Sequence, residues 1–183
     1  MKRVFAREQY CVGCGVCQVH CVVAHSDYKN DIVKAFTKQN PRPLPRIIVE
    51  ENRPVSFGLQ CRHCEDAPCI SVCPTAAIHR HQADGPVLIE QDRCIGCKFC
   101  LMVCPFGVID VSRDGKVVVK CDLCIERTKA GQKPACVEAC LTGALNFVNE
   151  KDLTTHKRQL TAWDLVLSTQ LNNNKDKQKE NIR

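Results

Sequence analysis

Sixteen cysteines in 183 residues constrain this chain more than any other feature of it. They fall into four groups of four with none left over. The groups are Cys11, Cys14, Cys17 and Cys21; Cys61, Cys64, Cys69 and Cys73; Cys94, Cys97, Cys100 and Cys104; and Cys121, Cys124, Cys136 and Cys140. The first and third are spaced C-x2-C-x2-C-x3-C, the second opens its middle gap to four residues, and the fourth opens it to eleven.

Cysteine this dense implies either a secreted disulfide scaffold or metal binding in a reducing compartment. Residues 1–10 (MKRVFAREQY) hold no apolar run of the kind a secretory leader needs, and Cys11 follows at once. No stretch approaches the roughly 20 apolar residues that span a bilayer. The expectation is a cytoplasmic protein with reduced thiols, any membrane association coming through a partner complex.

Spacing then selects the metal. Structural zinc typically takes two C-x2-C knuckles separated by a longer gap. Here three groups carry a third and fourth cysteine at short, fixed spacing, and two of them end in Cys-Pro, at Pro74 and Pro105. Thiolates at i, i+3 and i+6 on a looped backbone reach three irons of one cube, while the loop turns its N–H groups toward sulfur. The fourth cysteine lies past a short helical turn that the proline stops, and it serves the other cluster of a pair. Gly13 and Gly96 fall where the backbone passes close to inorganic sulfide. The reading is four cubane [4Fe–4S] clusters with all sixteen cysteines as ligands.

The formal net charge of +6 would suit nucleic acid, but it counts every cysteine as a neutral thiol. An oxidised cluster with four thiolates carries about −2, so four bring the holoprotein to about −2. Basic residues then compensate anionic clusters, and nucleic-acid binding becomes the weaker reading. A second rival, an enzyme reducing a small molecule at a cluster, needs an open iron site that the ligand count does not leave.

The rest of the chain reads as α+β and rich in loops. Residues 77–80 (AIHR) and 87–90 (VLIE) form short strands about the turn Ala83-Asp84-Gly85, and 108–111 with 117–120 (VVVK) repeat the arrangement about Arg113-Asp114-Gly115. Around the second and third groups this resembles the two-cluster bacterial ferredoxin unit. The first and fourth groups have no near neighbour and by elimination pair with each other, closed by a strand at 144–148 (ALNFV). The organisation expected is two interleaved ferredoxin-like units: an outer one from residues 1–30 plus 121–150 and an inner one from 61–120. Residues 31–60 form an insert with the rigid run Pro41-Arg42-Pro43-Leu44-Pro45 and a hairpin of 46–50 with 55–59 about Asn52-Arg53-Pro54. Leu160, Trp163, Leu167 and Leu171 recur at helical spacing, giving a helix over 151–171 packed on the body, before a polar tail at 172–183 expected to be disordered.

The stretches CRHCEDAPC, CIGCKFCLMVCPFG and C-x2-C-x11-C-x3-C resemble the four-cluster ferredoxin-type electron-transfer subunits that partner molybdopterin oxidoreductases, hydrogenases and nickel carbon monoxide dehydrogenases. The likeness covers residues 1 to about 150. CVGCGVCQVHCVVAHS and KAFTKQNPRPLPRI are similar, within that family, to the carbon monoxide dehydrogenase electron-transfer proteins. The resemblance implies an electron carrier without a catalytic site, relaying low-potential electrons between a catalytic subunit and a second redox protein. Nickel carbon monoxide dehydrogenase is the first partner implied, and a formate dehydrogenase-like molybdopterin enzyme or a hydrogenase the alternative. It also implies cross-ligation: Cys11, Cys14, Cys17 and Cys140 on cluster one; Cys121, Cys124, Cys136 and Cys21 on cluster two. Cluster three takes Cys61, Cys64, Cys69 and Cys104, and cluster four Cys94, Cys97, Cys100 and Cys73. Cys21 and Cys140 depart from the pattern, being followed by Val22 and Leu141 in place of proline.

With four cysteines available per cluster, His63 inside a ligand loop reads as a surface or hydrogen-bonding residue, as do His20 and His25 beside Cys21. Phe99 and Met102 read as apolar cover over a cluster, and Trp163 as a helix anchor. Anaerobically purified protein is expected to contain about sixteen irons and sixteen acid-labile sulfides per chain. Stoichiometric zinc, or fewer than about twelve irons in intact protein, would contradict the four-cluster reading.

Overall fold

In the computed structural model, residues 1–52 and 54–180 are described. Three hairpins form where the sequence places short apolar and β-branched runs on either side of turn residues. Strands β2 (Ile47–Asn52) and β3 (Val55–Gln60) pair antiparallel from Ile47 opposite Gln60 to Asn52 opposite Val55. Arg53 of the expected turn lies outside the described residues. Strands β4 (Ile78–Arg80) and β5 (Val87–Ile89) pair with Ile78 opposite Ile89, and β6 (Ile109–Val111) pairs with β7 (Val118–Lys120) in the same sense.

The fourth two-stranded sheet joins the ends of the sequence, β1 (Lys2–Ala6) against β8 (Leu145–Asn149). The expected closing strand is β8; its partner β1 is equally long but has no pairing strand near it in sequence. The N–H of Arg7 extends the pairing to the Ala144 carbonyl at 2.9 Å.

Short helices carry many of the cysteines. They are α1 (Val16–Ala24), α3 (Pro68–Ser71), α4 (Phe99–Val103) and α6 (Ala135–Glu138), while α5 (Ile125–Lys129) begins just after Cys124 and α2 (Ile32–Thr37) lies in the insert. Helix α2 starts on Asp31, whose carboxylate accepts from the Lys34 N–H at 2.9 Å. Helix α1 packs on α6, and α3 on α4. Two apolar clusters result. One gathers Val4, Ala6, Ile47, Leu123, Val137 and Leu145 around Cys17, Cys21, Cys121 and Cys136. The other gathers Ala67, Ile78, Val87, Ile109 and Val118 around Cys100. Both are small, and cysteine sulfur forms a large part of each.

The chain divides into a unit of Met1–Phe147, which holds every cysteine, and a unit of Val148–Arg183. The second unit contains α7 (Leu153–Glu180), a helix extending nine residues past the point where apolar periodicity ends. Residues 172–180, expected to be disordered, are helical; periodicity reports a buried face, whereas helicity needs only good helix formers such as Lys, Gln and Glu without Gly or Pro. Residues 181–183 of the expected tail lie outside the described residues.

Candidate metal centres

All sixteen cysteines are free thiols, and the fold gathers them into four sets. Cys11, Cys14, Cys17 and Cys140 line one cavity, walled by Ala6, Val49 and Leu145. Cys61, Cys64, Cys69 and Cys104 line a second, with His63, Val87 and Ile109. Cys73, Cys94, Cys97 and Cys100 line a third, with Ile78 and Val118. The remaining four interact electrostatically: Cys136 with Cys21 and Cys124, and Cys121 with Cys136 and Cys21. Each set takes three cysteines from one sequence group and its fourth from another.

Thiols so placed cannot ionise alone. Burial pushes Cys17, Cys100 and Cys124 up to about 11, and Cys121 and Cys136 further still, with neighbouring cysteines adding to the effect. Thiols pushed up in this way become thiolates when a bound cation supplies opposite charge. Cys73 is the instructive exception. Burial raises it, but N–H groups of Ile78, Thr75 and Ala77 and the Thr75 hydroxyl converge on its sulfur and leave it below the ordinary thiol value. Cys140 repeats the arrangement, with the Leu145 N–H 3.4 Å and the Thr142 hydroxyl 3.8 Å from its sulfur.

Backbone conformation explains these donors. The third residue of each leading C-x2-C turns left-handed: Gly13 (φ 67°), His63 (49°), Gly96 (67°) and Leu123 (58°). At His63 and Leu123 the turn aims the residue's own N–H at the first sulfur, 3.4 Å from Cys61 and from Cys121. A side chain in this conformation costs roughly 1–2 kcal/mol, the sort of strain held at functional sites. A second left-handed residue follows three positions after Cys73, Cys104 and Cys140, at Ala76, Gly107 and Gly143. In all three its N–H returns to the cysteine carbonyl at 3.1–3.3 Å. Leu141 in place of proline therefore leaves the turn after Cys140 unchanged. Cys21 differs, lying inside α1 with no such turn.

Around Cys21 the polar partners are side chains. His25 Nδ1 lies 2.7 Å from the Cys21 carbonyl and 3.7 Å from its sulfur, while Nε2 lies 3.0 Å from Asp122 Oδ1. Arg46 Nη1 donates to the other Asp122 oxygen at 2.6 Å, and the Arg46 N–H donates to the Cys21 sulfur at 3.2 Å. Burial alone would lower the imidazole pKa, but the Asp122 and Cys21 hydrogen bonds dominate and raise it to about 9. Burial would likewise raise Asp122, yet His25 and Arg46 hold it well below the usual carboxylate range. His25, Asp122 and Cys124 lie close enough to share a metal ion, but the pairing of His25 with Asp122 makes them supports for a cysteine-held centre.

His63 is buried, 1% exposed, and its Nδ1 accepts from the Val87 N–H at 3.0 Å, which settles its alternatives in favour of hydrogen bonding. Phe99 and Met102 are corrected: at 52% and 82% exposed they do not cover a cluster. Helix α4 turns Cys100 inward, which carries its neighbours at i−1 and i+2 outward. Sequence reading missed the Asp122–Arg46 support and the buried Lys120, whose one signal is a cation ending an otherwise apolar strand just before Cys121.

Residues 54–150 match the 4Fe-4S dicluster domain model. Over 177 residues the chain is 40% identical to an iron-sulfur protein of Rhodospirillum rubrum, covering 90% of this chain and 91% of that one. It is 40% identical to the thiosulfate reductase electron transfer subunit PhsB of Salmonella typhi, covering 76% and 71%. It is also 32% identical to the iron-sulfur subunit of the nitrate-inducible formate dehydrogenase of Escherichia coli, covering 83% and 55%. The chain belongs to the 4Fe-4S dicluster ferredoxin-type electron-transfer subunits. Four sets of four thiols, ringed by N–H donors, fit four [4Fe–4S] clusters, the cofactor complement of this dicluster protein.

The ligand loops leave little room for change. A Cβ on Gly96 would lie 2.3 Å from the Lys116 carbonyl oxygen, backbone against backbone, in a left-handed residue. Gly107 shares the conformation but has nothing within 4 Å of such a Cβ. Gly96→Ala is expected to lose about four of sixteen irons, whereas Gly107→Ala keeps them and loses only roughly 1–2 kcal/mol of stability. Iron assay and thermal unfolding of the two variants check this.

Proposed function

We propose that this dicluster protein relays single electrons through four [4Fe–4S] clusters, between a catalytic oxidoreductase subunit and a second redox protein. The four cysteine sets serve as the ligand sets: cluster one on Cys11, Cys14, Cys17 and Cys140; cluster two on Cys121, Cys124, Cys136 and Cys21; cluster three on Cys61, Cys64, Cys69 and Cys104; cluster four on Cys94, Cys97, Cys100 and Cys73. This makes two interleaved ferredoxin-like units. Their neighbours suggest the order one, two, three, four: Cys17 interacts with Cys136, Cys61 packs on the core holding Cys21 and Cys121, and Cys69 interacts with Cys100.

The observation that carries the reading is the contrast in exposure along that order. The first set has exposed Cys14 beside Val12 and Leu141, which are 69% and 83% exposed. The last has exposed Cys97 beside Ile95, Phe99 and Met102. Between them, the four cysteines of cluster two are buried and the four of cluster three half-buried, with none exposed. A relay needs two open ends with apolar rims for docking and an insulated middle; an enzyme would need one open iron instead. Bound clusters supply the one-electron chemistry, and the chain holds them, excludes water and offsets their negative charge with N–H donors.

The loop likeness to carbon monoxide dehydrogenase carriers is not echoed in the names of these relatives, two of which belong to thiosulfate reductase and formate dehydrogenase. An oxidoreductase of that kind, or a hydrogenase, is the partner we favour, in place of carbon monoxide dehydrogenase. No helix among the described residues is long and apolar enough to cross a membrane.

Cross-ligation is tested by Cys73→Ser, which should perturb the same spectroscopic centre as Cys94→Ser; matching Cys61→Ser instead would show that each group binds its own cluster. The relay is tested by mixing the protein anaerobically with a formate-oxidising or hydrogen-oxidising enzyme of the same cell and following bleaching of the visible cluster band. Leu141→Asp and Met102→Asp should each slow exchange severalfold with one partner only, at unchanged iron content. Reduction by carbon monoxide dehydrogenase alone would overturn the partner, and slowing of both partners by both variants would overturn the two-ended relay.

A further inference from the structure

Lys120 is 4% exposed, which is rare for a lysine. Its Nζ donates to the Val87 carbonyl and to the Cys121 carbonyl, the latter at 2.9 Å. The N–H of the same Val87 donates to His63 Nδ1 at 3.0 Å. One residue of β5 thus ties the loop of Cys61 and Cys64 to the loop of Cys121 and Cys124 through both of its peptide groups. The ammonium also acts electrostatically on Cys69, one of the set of Cys61, Cys64, Cys69 and Cys104. Lys120 is therefore a buried cation between the two central cysteine sets.

His63 has a complementary oddity. Because Nδ1 accepts a hydrogen bond, the ring is neutral and its proton resides on Nε2. That Nε2–H is buried and finds no partner among protein atoms. An orphaned donor in such a place is destabilising unless something accepts it. His63 lines the cavity of Cys61, Cys64, Cys69 and Cys104, where the acceptor available is sulfur.

We propose that Lys120 and His63 are positioning residues that raise the reduction potentials of the two central clusters, Lys120 through its buried charge and His63 through an Nε2–H bond to a sulfur of the cluster on Cys61, Cys64, Cys69 and Cys104. The step they favour is a plain one-electron hop: one cluster is oxidised by one electron and its neighbour reduced by one, with no bond made or broken. Reduction adds negative charge, so a cation or N–H donor stabilises the reduced form. This inference rests on the four-cluster relay proposed above.

The test is a redox titration of the holoprotein followed by electron paramagnetic resonance, with iron assayed in every sample. Lys120→Met, close to isosteric but uncharged, should keep about sixteen irons and make the central clusters at least tenfold harder to reduce, about 59 mV for one electron. Lys120→Arg should restore most of the loss, and the end clusters should not move. Unchanged potentials in iron-replete Lys120→Met overturn the proposal for Lys120. If that variant sheds iron, His63 decides: His63→Leu should lower the potential of one central cluster and His63→Gln recover it, while equal potentials in both variants overturn the proposal. A parent protein with far fewer than sixteen irons would instead overturn the four-cluster reading, so the two failures are distinguishable.

Discussion

Cysteine sulfur meets two demands here that oppose each other. Packed as a neutral thiol, it fills apolar cores too small to stand alone; ionised, it carries charge that those cores cannot hold. Iron resolves the conflict, and the remaining architecture follows from making that resolution complete. At His63 and Leu123 a left-handed turn brings an N–H round to sulfur, and Gly13 and Gly96 share the conformation. After Cys73, Cys104 and Cys140 the chain turns back onto the cysteine's own carbonyl. Where no such turn exists, at Cys21, the His25–Asp122–Arg46 group takes over with side chains and one N–H. The protein thus meets one electrostatic need by two structural routes.

Secondary structure is subordinate to this arrangement. Strands of three residues and helices of four or five would not persist in water by themselves. They persist because each such helix carries or adjoins a cysteine and each short strand lines a cysteine cavity, through Ile78, Val87, Ile109 or Val118. Apolar side chains such as Ile47, Ile78, Val87 and Val118 close the gaps between the loops. Removing metal should then leave little that could fold, since binding free energy and folding free energy are largely the same quantity.

Much of this was legible in the sequence because cysteine spacing and strand alternation are local. The four groups, the three hairpins and the strand after Cys140 can all be read from windows of a dozen residues. What escaped depends on distant partners. Strand β1 has meaning only against β8, some 140 residues away in the chain. Lys120 reads as the polar end of a hairpin until Val87 and Cys121 offer it their carbonyls. Leu123 gives no hint of its left-handed backbone, since glycine occupies the matching place in two other groups and histidine in the third. Phe99 and Met102 misled because apolar character between ligands suggests cover, whereas their helix faces the other way.

The cavities also impose an order of assembly. On a growing chain, the two inner sets are complete once residue 104 has been made, but the sets begun at Cys11 and at Cys21 wait for Cys140 and Cys136. The first thiols synthesised are therefore the last to be enclosed. For most of translation Cys11, Cys14 and Cys17 stand open to oxidants and stray metals, beside an inner pair of sites already able to accept iron. The order in which the sets can be completed thus runs from the middle of the chain outward, and the thiols made first gain their last partners latest.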